Sequence, residues 1–77
     1  MRDLTPVMIL FDELEAMRLC DAEGLTQEQA GEAMGVSRGT VQRLVVSGRS
    51  KMVSAIVEGQ ALVIEALAEN AEEKNGP

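Results

Sequence analysis

Residues 26–44 read Thr-Gln-Glu-Gln-Ala-Gly-Glu-Ala-Met-Gly-Val-Ser-Arg-Gly-Thr-Val-Gln-Arg-Leu, and their spacing decides the fold. They spell two short helices joined by a tight turn at Gly35, the layout of a helix-turn-helix. Gly31 is a small residue four positions ahead of that turn, where two helices crossing steeply leave little room. Gly35 supplies the backbone freedom the turn requires. Val36 plugs the turn, and Val41 and Leu44 put apolar groups on the inner face of the second helix. Ser37 caps that helix, which turns Arg38, Gln42 and Arg43 outward. These are the side chains suited to reading base edges in a major groove.

Working outward, the same entry signature recurs at each helix start. Thr26 with Gln29 forms a capping box, with Leu25 and Ala30 placed as its staple; Ser37 is flanked by the staple pair Val36 and Val41. Upstream, Asp12 with Glu15 reads as a further box, with Phe11 stapling against Ala16. Leu14, Met17 and Cys20 then repeat along one face until Gly24 ends the helix. On the second helix, Ala30, Ala33 and Met34 form the apolar side. The third helix overruns the minimal motif: Val41, Leu44, Val45, Met52, Ile56 and Val57 continue at helical spacing as far as Gly59, a natural C-terminal cap. Gly48 sits inside this run at a cost of about 1 kcal/mol relative to Ala. It marks either a bend or a close approach by another backbone. Val46 falls on the outer face, where no core requirement accounts for it.

The ends are less regular. Val7 to Leu10 is a short apolar run compatible with a strand. Ala61 to Ile64 reads either as a second strand pairing with it, within one chain or across two, or as the start of a further Ala-, Leu- and Glu-rich helix. The strand is preferred, because a four-residue apolar run after a capping Gly matches the run at the other end. The expected fold class is therefore mainly α: a three-helix helix-turn-helix domain over 1–64, with an extended third helix and short terminal β-strands. An acidic C-terminal tail follows over 65–77, partly helical or disordered.

Composition narrows the function. The chain has 77 residues, one aromatic (Phe11), five Met, one Cys (Cys20) and no His. A core of that size with so little aromatic area calls for burial from a partner subunit. A disulfide framework and a Cys/His zinc cluster are excluded, and no cofactor is expected. Cys20 reads as a small buried hydrophobe. Val7 to Phe11 is too short for a signal segment and no run has transmembrane length, so a cytoplasmic location is expected. The net charge of −6 is unevenly spread: residues 33–57 hold Arg38, Arg43, Arg49 and Lys51 with no acid. Acids crowd the first helix and the tail. A basic patch on an acidic body is the electrostatic footprint of nucleic-acid binding, although a solvated helix face is the alternative on charge alone.

Four blocks then stand in order: Asp-Glu-Leu-Glu-Ala-Met-Arg-Leu from Asp12, Glu-Gly-Leu-Thr-Gln-Glu-Gln-Ala from Glu23, Met-Gly-Val-Ser-Arg-Gly-Thr-Val-Gln-Arg from Met34, and Val-Glu-Gly-Gln-Ala-Leu-Val-Ile from Val57. Over about residues 7 to 64 the chain resembles the prokaryotic predicted DNA-binding proteins catalogued as domain of unknown function 134. Their helix-turn-helix is similar to that of sigma-factor region four. The resemblance implies a transcriptional regulator. The chain departs from that pattern in three places. The basic N-terminal stretch shrinks to Met1-Arg2-Asp3, Gly31 and Gly48 stand where Ala is common, and the acidic tail lies beyond the family core.

The expected interface follows from the motif. The start of the third helix enters the major groove, its free N–H groups favouring nearby phosphate. Arg38 and Arg43 suit guanine and Gln42 suits adenine; Ser37 and Thr40 reach base or phosphate, and Gly39 lets the helix start approach closely. Thr26 and Gln27 are placed for phosphate, as are Ser47, Arg49 and Lys51 further along. Thr26 and Ser37 serve as caps in any case. Four cations neutralise at most about four phosphates, a salt slope of roughly −3 to −4 per copy, which is thin for tight binding. A homodimer on two half-sites doubles it. Readers of single strands stack bases on aromatic rings, so duplex DNA is the better target. Two other classes remain open. The fold can serve as a protein-interaction module whose acidic face docks a basic partner of the transcription machinery. An enzyme is disfavoured, because the carboxylates sit at exposed helical spacing rather than converging.

Overall fold

The computed structural model describes residues 5–64; the acidic tail expected over 65–77 lies outside the described residues. The chain order is β1 (Val7–Ile9), α1 (Phe11–Met17) running on into a π-helical turn (Arg18–Ala22), α2 (Gln27–Met34), α3 (Arg38–Glu58) and β2 (Leu62–Ile64). The fold is mainly helical, as expected, with an extended third helix. Both terminal runs are strands, and they pair with each other within one chain. The pairing is parallel, with Val7 opposite Leu62, Met8 opposite Val63 and Ile9 opposite Ile64. Parallel neighbours need a crossover, and here all three helices provide it. The Val7 N–H donates to the Ala61 carbonyl (2.8 Å) and the Gln60 side-chain amide to the Thr5 carbonyl (2.8 Å), closing the two ends of the described segment together.

The core is aliphatic. Ala16 and Leu19, Ala30, and Val41 and Val45 form one buried cluster, with Cys20, Leu25, Met34 and Leu44 half-buried around it. Helix α3 is its spine: α1, α2 and β1 all pack against it. Its buried positions, Val41, Val45, Gly48 and Ala55, recur at intervals of three, four and seven, one stripe of a helix of 3.6 residues per turn. Gly59, at φ 70°, ends it in the left-handed conformation that favours glycine.

Several local expectations are corrected. Helix α1 starts at Phe11 with Leu10 as its cap residue, two positions before Asp12. The reason is Glu13, which turns inward and accepts the Leu10 N–H (2.9 Å), taking the part expected of Glu15. Glu15 instead pairs with Arg18 at 2.9 Å. Phe11 thus lies within the helix at 39% exposure rather than stapling its entry. The inner side of α1 is Glu13, Ala16 and Met17, with Leu14 only half-buried, and in the π-helical turn, which shifts the phase of the face, Leu19 is buried and Cys20 only half-buried. On α2 the inner side is Ala30 and Gly31, and Ala33 is exposed. At the far end of α3, Ile56 and Val57 are 71% and 70% exposed and leave the core stripe. Among the described residues, the elements packed on α3 cover its Val41–Val45–Gly48–Ala55 side. Gly48 marks a close approach by side chains, with no backbone involved. A Cβ there would stand 2.7 Å from Met17 Cε, 2.9 Å from its Sδ and 3.3 Å from Glu13 Cβ.

Candidate nucleic-acid interface

The start of α3 is positioned by the turn that precedes it. Gly35 closes α2 at φ 75°, and its N–H donates to the Gly31 carbonyl, as does the Val36 N–H at 2.9 Å. The returning chain then lies on Gly31 itself. A Cβ at that position would be 2.7 Å from the Val36 carbonyl oxygen, 3.4 Å from the Ser37 carbonyl carbon and 3.5 Å from the Arg38 nitrogen. The missing side chain is therefore what lets α3 begin so near α2. Val36, expected to plug the turn, is exposed at its surface.

Both caps form as the spacing predicts. Thr26 Oγ1 accepts the Gln29 N–H (3.1 Å) while Gln29 Oε1 accepts the Thr26 N–H (3.0 Å), a reciprocal box. Ser37 Oγ accepts the Thr40 N–H (3.1 Å). Thr40 Oγ1 lies 3.0 Å from Ser37 Oγ and accepts from Arg43 Nη2 at 3.2 Å, so Ser37, Thr40 and Arg43 form one short chain of polar contacts over the first turns of α3. Arg38 and Gln42 are exposed beside them, and Gly39 is half-buried. Thr26 is exposed and Gln27 half-buried at the start of α2.

The first turn of α3 differs from those of α1 and α2. Asp12 and Glu13 open α1 and Glu28 opens α2, as the positive end of a helix dipole favours, whereas α3 opens with no acid. It opens instead with Arg38, which has no hydrogen-bond or ion-pair partner among the described residues. A cation there works against the dipole by about 0.3–1 kcal/mol unless an anion joins it.

Three residues expected to reach phosphate further along α3 are engaged within the chain. Glu13, only 3% exposed, is the buried hub of two of them. Its Oε2 accepts from the Ser47 hydroxyl. Its Oε1 accepts from Lys51 Nζ at 2.8 Å as well as from the Leu10 N–H. Burial pushes the Glu13 carboxyl up, but the hydrogen bonds from Lys51, Ser47 and Leu10 outweigh it and hold it below the ordinary carboxylate range. Arg49 makes a two-pronged contact with Asp21 in the π-helical turn, one arm through Nε at 3.2 Å and the other through Nη2. That hydrogen bonding lowers the Asp21 carboxyl and raises the Arg49 guanidinium from their usual values.

The Glu13 hub was not legible as a site in the sequence, where Glu13 reads as a first-turn surface acid. One signal was available. Ser47 and Lys51 form a polar i, i+4 pair flanking Gly48, on the edge of an otherwise apolar stripe, and such a pair needs an acceptor. The acids of α1 and its π-helical turn are largely spoken for in the same way, because Glu15 and Glu23 both contact Arg18, at 2.9 and 3.3 Å. No group of three or more potential metal-ligating side chains occurs among the described residues, and no helix there is long and apolar enough to cross a membrane.

Comparison with known proteins places the chain. Residues 2–70 match the family described as protein of unknown function DUF134, a match that runs past Ile64. A UPF0251 protein of Thermococcus kodakarensis is 54% identical over 59 residues, covering 77% of this chain and 52% of the relative. A UPF0251 protein of Vibrio parahaemolyticus is 53% identical over 60 residues, covering 78% of this chain and 62% of the relative. One from Halothermothrix orenii is 47% identical over 64 residues, covering 83% and 47%. The chain spans about half the length of the curated relatives it matches. No solved structure matches it. The chain belongs to this family of unknown function.

Proposed function

We propose that this member of the family is a sequence-specific duplex DNA-binding protein, a transcriptional regulator that works by binding and carries out no catalysis. In this reading α2, the Gly35 turn and α3 act as a helix-turn-helix related to sigma-factor region four, and the start of α3 enters the major groove. The observation that carries it is Arg38. A cation without a partner among the described residues, in a helix first turn lacking any acid, is unfavourable in the isolated protein and favourable once a phosphate or a guanine edge lies against it. Arg43 and Gln42 are exposed on the next turn, Ser37 and Thr40 pre-orient Arg43, and Thr26 and Gln27 offer hydroxyl, amide and backbone N–H groups at the start of α2.

The reading-end residues are thus Thr26, Gln27, Ser37, Arg38, Gly39, Thr40, Gln42 and Arg43. Arg49 joins them if phosphate displaces Asp21, and Ser47 and Lys51 serve the Glu13 hub instead. With so few unpaired cations among the described residues, tight binding calls for two copies on half-sites about one helical turn apart. Val53, Ile56 and Val57, exposed beyond the reading end, give such a homodimer an apolar surface. A location in the cytoplasm, with access to DNA, completes the proposal. The rival reading, an acidic face docking a basic transcription protein, loses ground because most acids of α1 and its π-helical turn are paired within the chain.

The test is selection of duplexes from a randomised pool, with Arg43→Ala run alongside. A two-fold-symmetric site, enriched by the wild type and lost with Arg43→Ala, is the expected result. Absence of enrichment even at low salt refutes the proposal.

A further inference from the structure

Val46 is an apolar residue of α3 that the core does not use. It is 60% exposed, yet it sits in mid-helix rather than at an element end. At about 100° per residue, Gly39, Arg43, Val46 and Ser50 fall on the side of α3 away from Val41, Val45 and Gly48, with Gln42 at its edge. Val46 therefore lies on the outer side of the helix, one turn beyond Gln42 and Arg43. Its neighbours three and four positions away on either side are Gln42, Arg43, Arg49 and Ser50, all exposed and all polar. With polar groups at all four of these positions, and the next exposed apolar side chain on that side two turns on at Val53, Val46 is a poor match for an apolar protein surface, which wants adjoining apolar area. It matches the major-groove floor, where the C5-methyl of thymine is the one apolar group among donors and acceptors. Along the axis, Val46 stands about 12 Å beyond Arg38, within the length of helix that a groove of about that width accepts.

Resting on the duplex-DNA reading, we propose that Val46 is a specificity-determining residue that packs its methyl groups against the C5-methyl of a thymine. Gln42, one turn earlier on the same line, suits adenine through its amide. The recognised element therefore contains an A·T pair read by both its polar and its apolar marks.

The experiment takes the best duplex from the randomised selection and replaces its thymines one at a time with deoxyuridine. This removes the C5-methyl and leaves base pairing intact. Affinities of the full chain and of Val46→Ala are measured by fluorescence anisotropy. One methyl group buried between the partners corresponds to about a fourfold change in Kd. We expect one thymine per half-site whose replacement weakens the wild type about fourfold and leaves Val46→Ala unaffected. Val46 is exposed and Ala is the better helix former, so the variant folds, which circular dichroism verifies. The same deoxyuridine profile for both proteins overturns the proposal, as does a selected site without thymine. This holds also where Val46→Ala changes the oligomeric state in sedimentation, a result that assigns the residue to a contact between copies. A wild type that enriches no duplex overturns the DNA reading itself.

Discussion

Gly31→Ala and Gly48→Ala make the same chemical change in two helix interiors and should have opposite consequences. Each replaces a helical Gly by Ala, a local gain of about 1 kcal/mol. What the new methyl meets is different. At Gly31 the obstacles are the Val36 carbonyl oxygen at 2.7 Å and backbone atoms of Ser37 and Arg38 at 3.4 and 3.5 Å. These belong to the turn and cannot rotate away, so the whole Val36–Arg38 segment must move and the start of α3 with it. Overpacking of that kind costs about 2–3 kcal/mol, leaving Gly31→Ala destabilised by about 1–2 kcal/mol. At Gly48 the closest atoms are Met17 Cε and Sδ, at 2.7 and 2.9 Å, the far end of an unbranched side chain with three rotatable bonds. Glu13 Cβ, at 3.3 Å, must yield only slightly. Repositioning Met17 consumes most of the helix gain, and Gly48→Ala should lie within about 0.5 kcal/mol of the wild type. For a domain of this size, a gap of about 1.5 kcal/mol between the two variants corresponds to melting temperatures roughly 6–12 °C apart. Thermal and urea melts followed by circular dichroism at pH 7 measure it. Gly31→Ala as stable as the wild type, or the two variants melting together, refutes the reasoning. By this geometry Gly48 accepts Ala freely, while Ala at Gly31 must set the turn further from α2.

Three further outcomes are expected. The Glu13 carboxyl is held below its ordinary value of 4.5 in the folded state, so its contribution to stability is fully present above that pH and is lost as pH falls through the lower folded value. Melting temperature against pH should therefore drop more steeply below about pH 4.5 in the wild type than in Glu13→Gln, and parallel acid limbs would contradict the buried hub. Lys51→Met removes the cation facing a nearly buried carboxylate; with Lys51 itself 32% exposed and partly screened, the loss should be about 1–3 kcal/mol by urea denaturation. Asp21→Asn frees Arg49, and if Arg49 then meets phosphate, the log–log salt dependence of duplex binding steepens by about 0.9 per copy, whereas an unchanged slope leaves Arg49 outside the interface.

Much of the fold was legible because it rests on local rules. The Thr26 and Ser37 caps depend on side chains reaching N–H groups three residues away, and both form as the spacing requires. Gly35 and Gly59 sit at left-handed helix ends because glycine alone adopts that backbone without strain. Helix α3 runs uninterrupted through Gly48, since one glycine costs less than the packing on either side returns. The start of α1 was misplaced for an equally physical reason. Asp12 and Glu15 make a sound box by spacing, yet Glu13 obtains Lys51 and Ser47 from 38 and 34 residues away, and those long-range bonds choose the register.

Of the candidate interface, sequence placed the turn, the cap and the outward Arg38, Gln42 and Arg43, all set by helical periodicity once the start of α3 is known. Sequence by itself therefore determined the order of the three helices, how α2 and α3 are joined and which side chains the first turns of α3 present. Tertiary structure alone decided three things. It paired the terminal strands in parallel within one chain, buried Glu13 as the acceptor for Ser47 and Lys51, and diverted Arg49 to Asp21. Each of these joins residues far apart along the chain, and periodicity and capping act over only a few residues; which distant groups meet is settled by packing in three dimensions.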